Sequence, residues 1–379
     1  MSLLTRKRTI LAEAESTYGV DPSPLGSANA MLIQNLTVKP IEADTVQRQV
    51  IKEYLGHSDI LLTQVSVAMD FEIEIAGAIT KGIAPAYAPL LKACGFGETL
   101  NTTAVGITRS GAVATVALVA HGLAVGNSIK IAGATQSEYN GTFIVATVPD
   151  VDSFTYAVSG TPATPATGSP VLSTTAVYAP VSASFGSVTI YHNVDGVLHK
   201  LLGGRGNVEF DFNVKNIPVM KFSFKGLYSA VSDSAAPTCV FTAFQSPEVV
   251  STSNTTPFSF FSHSGYMERL NINMANDIQY RTLVGLQEVN LTQRAPAGTL
   301  VIEAPLVATK DYFAIANAGT TGALAITHGT ENGNKFAIAA PRLSIGNPEY
   351  QESQGVQMLS LPFVASPSSG NDEVSLTIS

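Results

Sequence analysis

One order of elements occurs twice in this sequence. Gly186 and Gly322 each stand six residues ahead of a histidine, His192 and His328, and each histidine precedes an acid-and-glycine turn, Asp195-Gly196 or Glu331-Asn332-Gly333. Around the first hairpin lie VIKEYLGHSD, VAMDFEIEIAG, the helix-like APAYAPLLKACGF, GSVTIYHNVDGVLHKLL, NVEFDFNV and PVMKFSFKGLY. The second is surrounded, in the same order, by IQYRTLVGLQE, TLVIEAP, the helix-like KDYFAIANAG, GALAITHGTENGNKFAIAA, RLSIGN and VQMLSLPFVA. Self-similarity in fixed order is the mark of a duplicated unit. The expected fold is therefore mainly β, with two like domains, each carrying one flanking helix.

The two copies match in length only if a segment is set aside. Residues 103–180 carry just Arg109, Lys130, Glu138, Asp150 and Asp152 as charges and are rich in Ala, Val, Thr and Gly. Within them AVATVALV, NSIKIAG, GTFIVATV and DSFTYAV are β-branched runs parted by turn-forming stretches, which predicts a small inserted all-β domain. TPATPATGSP, whose prolines remove ladder donors, reads as the way back into the main body. The expected division is 1–32 as an N-terminal arm, 33–102 with 181–230 as the first domain, 103–180 as the insertion, 231–257 as a linker and 258–379 as the second domain.

Period-2 alternation gives the strands two chemically distinct faces. Val67, Met69, Phe71, Ile73 and Ile75 share one side and Asp70, Glu72 and Glu74 the other; Val208, Phe210, Phe212 and Val214 likewise oppose Glu209, Asp211 and Asn213. Phe222 and Phe224 oppose Lys221, Ser223 and Lys225. Antiparallel sheets with one core face and one wet face follow. Three acids along one strand suit a general acid/base pair, a calcium site or a solvated face, and the solvated face is the preferred reading because no cleft is indicated. A helix is expected over 85–94, opened by Pro85, with Tyr87, Leu90 and Leu91 on one side, and ended by Gly95.

Composition narrows the function classes. Asp, Glu, Lys and Arg make up 13% of the residues, against about 25% in an average soluble domain, so much of the surface is expected to be interface. The net charge of −8 argues against binding nucleic acid through phosphate neutralisation. Cys94 and Cys239 match no zinc or redox spacing. MSLLTRKRTILAEAE holds no apolar stretch of signal-peptide length, and no run reaches the length of a membrane helix. The six histidines are scattered, and no HExxH, paired CxxC or GxSxG occurs, so no catalytic residue, cofactor or metal is expected. His192 and His199 bracket a turn without a third ligand, and Gly203-Gly204-Arg205-Gly206 leads into a strand, so it reads as a tight turn instead of a phosphate loop.

The residues LAEAESTYGVDP, MDFEIEIAGAITKGIAPAYAPLLKACGFGET, GNVEFDFNVKNIPVMKFSFKGLYS and LPFVASPSSGNDEVSLTIS together resemble the major tail tube proteins of long-tailed (siphovirus-type) bacteriophages. The insertion looks like the small β modules that decorate phage structural proteins. The resemblance implies β-sandwich or barrel domains, each with one flanking helix, that self-assemble into stacked rings around the channel through which the genome enters the host cell. It also implies tape measure, tail terminator and distal tail proteins as partners, and a place in the virion tail after assembly in the host cytoplasm. Two domains per chain predict three chains per pseudo-sixfold ring, with a homohexamer as the alternative. Asp70, Glu72, Glu74, Glu209 and Asp211 are then expected to line the channel, where acids keep DNA mobile without binding it. The insertion is expected to point outward and the arm to touch a neighbouring subunit. The alternative from another class is a carbohydrate-binding surface adhesin built of β modules; an all-β hydrolase would need a nucleophile, base and acid set that does not assemble.

Overall fold

Alternating runs become sheet where two of them meet with their apolar sides aligned. The strand Ile60–Glu74 pairs antiparallel with Val219–Tyr228, placing Met69 opposite Phe224 and Phe71 opposite Phe222. The Phe71 and Phe224 rings stack at 5.8 Å, and both are almost wholly buried. In the computed structural model, which describes residues 3–379, this pair belongs to a run of eight antiparallel strands. Their order is Gln34–Gln47, Ile60–Glu74, Val219–Tyr228, Val197–Asn213, Met267–Asn273, Ala297–Glu303, Val356–Ala365 and Glu349–Ser353.

The apolar side of this run is covered by further strands. Arg8–Ala14 pairs with Val188–Val194, and Thr255–Phe260 pairs with Thr321–His328. Phe336, in the hairpin partner of Thr321–His328, packs on Phe210 at 6.1 Å, and Phe260 on Phe363 at 5.9 Å. Both layers thus bury one shared core.

One long strand serves both layers. On one edge Val197–Gly204 pairs with Val188–Val194 and Glu209–Asn213 with Arg269–Asn273, while on the other edge Leu201–Asp211 pairs with Val219–Tyr228. The two pairings overlap over residues 201–204, and there Gly203 has a φ of +57° and its missing Cβ would stand 2.7 Å from the Tyr18 ring. The glycine cluster is therefore a bend within a strand, and the reading of Gly203-Gly204-Arg205-Gly206 as a tight turn is corrected. A register shift there lets the chain pass from one layer to the other.

The pairings of the first half recur in the second. Arg8–Ala14 with Val188–Val194 is matched by Thr255–Phe260 with Thr321–His328, and Gln34–Gln47 with Ile60–Glu74 by Met267–Asn273 with Ala297–Glu303. The two histidine hairpins match each other, and the pairing of Ile60–Glu74 with Val219–Tyr228 is matched by Ala297–Glu303 with Val356–Ala365. A six-residue helix follows the equivalent strand each time, Ala88–Ala93 and Tyr312–Asn317. The first is shorter than the sequence suggests, but Tyr87, Leu90 and Leu91 are buried as expected.

Part of the segment read as an arm is built into this body. Ile10, Leu11 and Ala12 are buried between Val188–Val194 and Ala30–Met31. The Glu15 carboxylate accepts hydrogen bonds from Ser187 Oγ at 2.6 Å, Thr189 Oγ1 at 2.6 Å and the Gly203 N–H at 2.7 Å. Asp21 accepts from Tyr191 Oη at 2.6 Å and from Lys200 Nζ at 2.9 Å. Residues 8–21 thus do not hang free; Met1 and Ser2 lie outside the described residues.

Within 103–180 the strands Gly106–Ser110, Val113–Ala117, Ser128–Ala134, Gly141–Asp150 and Ser153–Ala157 enclose a separate core around Ile107, Val116, Ile129, Tyr139, Phe154 and Tyr156. The antiparallel arms Phe96–Ala104 and Gly168–Pro180 carry it, and the second arm also pairs with the C-terminal strand Ser375–Ile378.

Candidate functional site

The side of the eight-stranded run that faces away from the core is predominantly polar, and the register brings its charges into rows. Glu72 lies opposite Lys221, Lys221 opposite Glu209, and Glu209 opposite Asn273. One row over, Glu74 lies opposite Val219, Val219 opposite Asp211, and Asp211 opposite Asn271. Asp70, Glu72, Glu74, Glu209 and Asp211 thus share one surface, although the two strands that bear them are not neighbours. Val219–Tyr228 runs between them and supplies the cations.

Glu72, Glu74, Glu209 and Asp211 are paired. Lys221 Nζ lies 2.8 Å from Asp211 Oδ2 and 3.4 Å from Glu209 Oε1, and Arg269 Nε lies 3.5 Å from Asp211 Oδ1. Asn271 Nδ2 donates to Glu209 at 2.7 Å, Asn35 Nδ2 to Glu72 at 2.7 Å and Gln34 Nε2 to Glu74 at 2.8 Å. Partial burial opposes the charge of Lys221, but the hydrogen bond to Asp211 and the fields of both acids raise its pKa overall. At Asp70 burial dominates and raises the carboxyl pKa against the pull of Lys39. Glu42, hydrogen-bonded to Lys225, is lowered. A polar depression opens among Glu209, Asn213, Arg269, Thr299 and Ser360.

The surface is therefore mixed in sign. The sequence had put Lys221 and Lys225 on the polar side through the alternation around Phe222 and Phe224, but without register it gave no sign that Lys221 falls between two acids. Arg269, Asn271 and Asn273 carry no local sequence signal for this surface, since their strand is short and its partner Val197–Asn213 lies far back in the chain.

A charged sheet face backed by a duplicated antiparallel body describes a scaffold better than a cleft. The family model for phage tail tube proteins matches residues 5–365. The chain belongs to this family. As a tail tube protein it is a structural subunit of the phage tail, and the adhesin reading is not favoured. No curated protein matches the sequence. Among the described residues of this tail tube protein, no helix is long and apolar enough to cross a membrane, and no three His, Cys, Asp or Glu side chains group as metal ligands.

Proposed function

We propose that three copies of the chain close a pseudo-sixfold ring, that rings stack into the tube of a long-tailed phage, and that the mixed-charge face lines the channel. The observation that carries this reading is the eight-stranded run itself: one side is buried, the other is wetted and charged, and each end presents an edge with no strand partner among the described residues. Such edges invite addition of another chain, and closing the ring removes them. Duplex DNA carries one negative charge per about 1.7 Å of axis, so a basic wall would hold it through counterion release. Asp70, Glu72, Glu74, Glu209 and Asp211, with cations held in ion pairs, leave such a wall without free positive charge and let DNA pass without specific binding.

In this reading the chain is not an enzyme, and residues 103–180 form a decoration module that points outward. The duplicated halves, 33–102 with 181–230 and 258–379, act as two ring positions. Tape measure, tail terminator and distal tail proteins meet the finished tube, which assembles in the host cytoplasm. Negative-stain microscopy and native mass measurement of the purified protein test this: tubes built of three-chain rings are expected. Six chains per ring would overturn the stoichiometry, and dispersed single particles that bind glycans would restore the adhesin.

A further inference from the structure

The chain contains a pattern for its own contact with the next copy. Its two halves join where Glu209–Asn213 meets Arg269–Asn273, with Glu209 opposite Asn273, Phe210 opposite Ile272 and Asp211 opposite Asn271. Phe210 and Ile272 are buried there, at 0% and 1% exposure. Asn273 Nδ2 donates to Glu209 Oε2 at 3.3 Å on the polar side.

Each side of this junction has a counterpart elsewhere in the chain, fixed by pairing. Ile73 lies opposite Met220 as Ile302 lies opposite Leu359. The strands also end alike, since the Ile75 N–H donates to Pro218 O and the Ala304 N–H to Gln357 O. Glu349, Tyr350 and Gln351 then lie opposite Ser360, Leu359 and Met358 as Glu209, Phe210 and Asp211 lie opposite Lys221, Met220 and Val219. On the other side Thr37, Val38 and Lys39 lie opposite Asp70, Met69 and Ala68, as Asn271, Ile272 and Asn273 lie opposite Thr299, Gly298 and Ala297. Among the described residues the outer edges of Gln34–Gln47 and Glu349–Ser353 have no strand partner. Tyr350 is 60% exposed where its counterpart Phe210 is buried.

We infer that the Gln34–Gln47 edge of one chain adds to the Glu349–Ser353 edge of a second copy in the register of the internal junction, with Lys39 opposite Glu349, Val38 opposite Tyr350 and Thr37 opposite Gln351. This rests on the tube-subunit reading and names its lateral contact. Charge supports the register, for it sets a cation against the glutamate just as the internal junction sets an amide donor against Glu209. Apolar chemistry supports it too, since Val38 covers the exposed ring of Tyr350.

The same repetition accounts for the most apolar exposed element. Between Met267–Asn273 and Ala297–Glu303 the hairpin of Asn276–Leu283 with Leu286–Arg294 folds onto the first half. There the Val289 N–H donates to Tyr18 Oη at 2.6 Å, Arg205 Nη1 donates to Val289 O at 2.7 Å, and Tyr280 Oη donates to Val65 O at 3.1 Å. The corresponding excursion of the first half is the arm between Lys39 and Ala68, which exposes Ile41, Val46, Ile51, Leu55, Ile60 and Leu61. The repeated geometry lays this arm on the second half of the neighbouring copy, where those side chains leave water.

Cross-linking tests the register. In a Cys239→Ser background, Val38→Cys combined with Tyr350→Cys is expected to give covalent dimers and larger ladders on oxidation of assembled protein. Val38→Cys with Glu352→Cys, off register, is expected to give at least tenfold less. A charge exchange is the second measurement, independent of cysteine geometry: Lys39→Glu alone and Glu349→Lys alone each reduce assembly, and the double variant restores it. If wild-type tubes form but the 38–350 cross-link is absent and the exchange gives no rescue, this contact is overturned while the tube reading stands. If wild-type protein forms no tubes, both fall together.

Discussion

The backbone N–H of Gly77 donates a 2.8 Å hydrogen bond to Asn334 Oδ1, tying the end of a first-half strand to the loop that joins the two strands of the second histidine hairpin. Asn334 Nδ2 also donates to Ser246 O at 3.3 Å and Glu248 Oε1 at 3.2 Å, so one buried side chain joins three segments. Asn334→Ala leaves a buried N–H unpaired and should cost about 1–3 kcal/mol. Gly77→Ala should cost at least as much, because a Cβ there would stand 2.0 Å from Gly333 O. Chemical denaturation of both variants checks this; an unchanged midpoint in either would contradict it.

Lys221 joins two acids, and Asp211, whose side chain is only 8% exposed, depends on it. Lys221→Met should destabilise the subunit by about 1–2 kcal/mol, because Arg269 at 3.5 Å compensates only partly. Asp211→Asn in the Lys221→Met background should recover part of the loss. Denaturation of the single and double variants measures the coupling.

The segment with the second core should be removable, provided that the cut respects the strand that carries it. Thr102 lies opposite Ser173, while Ala176, Val177 and Tyr178 pair with Ile378, Thr377 and Leu376 of the C-terminal strand. Joining Thr102 to Ser173 through a short Gly-rich turn removes the second core and should leave folding and assembly intact. Joining Asn101 to Val181 strips the partner of the C-terminal strand and deletes buried Tyr178, so that variant should fail to fold. Circular dichroism and microscopy of the two deletions distinguish the outcomes.

Much of the architecture was legible because it is written locally. Phe71, Phe210 and Phe222 declare the core face by alternation, and Asp195-Gly196, with φ of +45° and +105°, declares a two-residue hairpin turn. What escaped was written over distance. Arg8–Ala14 looks like a loose terminus until Val188–Val194 takes it as a sheet partner, and no local signal announces that pairing. The acids were visible but their partners were not, since Glu209 meets Asn271 and Asp211 meets Arg269 only through register. Likewise the Asn276–Arg294 hairpin looks like any other hairpin until Val289 is found against Tyr18.

His192 makes stability depend on pH. It stacks on His199 across the hairpin at 5.9 Å, and neither of its ring nitrogens has a hydrogen-bond partner among the described residues. Burial, with the fields of His199 and Arg8, lowers its pKa to about 4. An unfolded histidine titrates near 6.5, at about its ordinary value, so between about 6.5 and 4 the unfolded chain binds the proton that the folded chain excludes. Stability is therefore full above about pH 6.5 and falls as the pH drops towards 4. Melting temperatures of the free subunit at pH 7.5 and 5 should differ, and His192→Leu should narrow that difference; an unchanged difference would contradict the assignment.

A cryo-EM reconstruction of tubes assembled from the purified protein tests the central claim most directly. The account predicts three chains per ring, the Glu72, Lys221, Glu209 and Asp211 face turned to the channel, and Val38 of one chain beside Tyr350 of the next. A map with that face turned to outside solvent, or with the edges of Gln34–Gln47 and Glu349–Ser353 unpaired between chains, would contradict it.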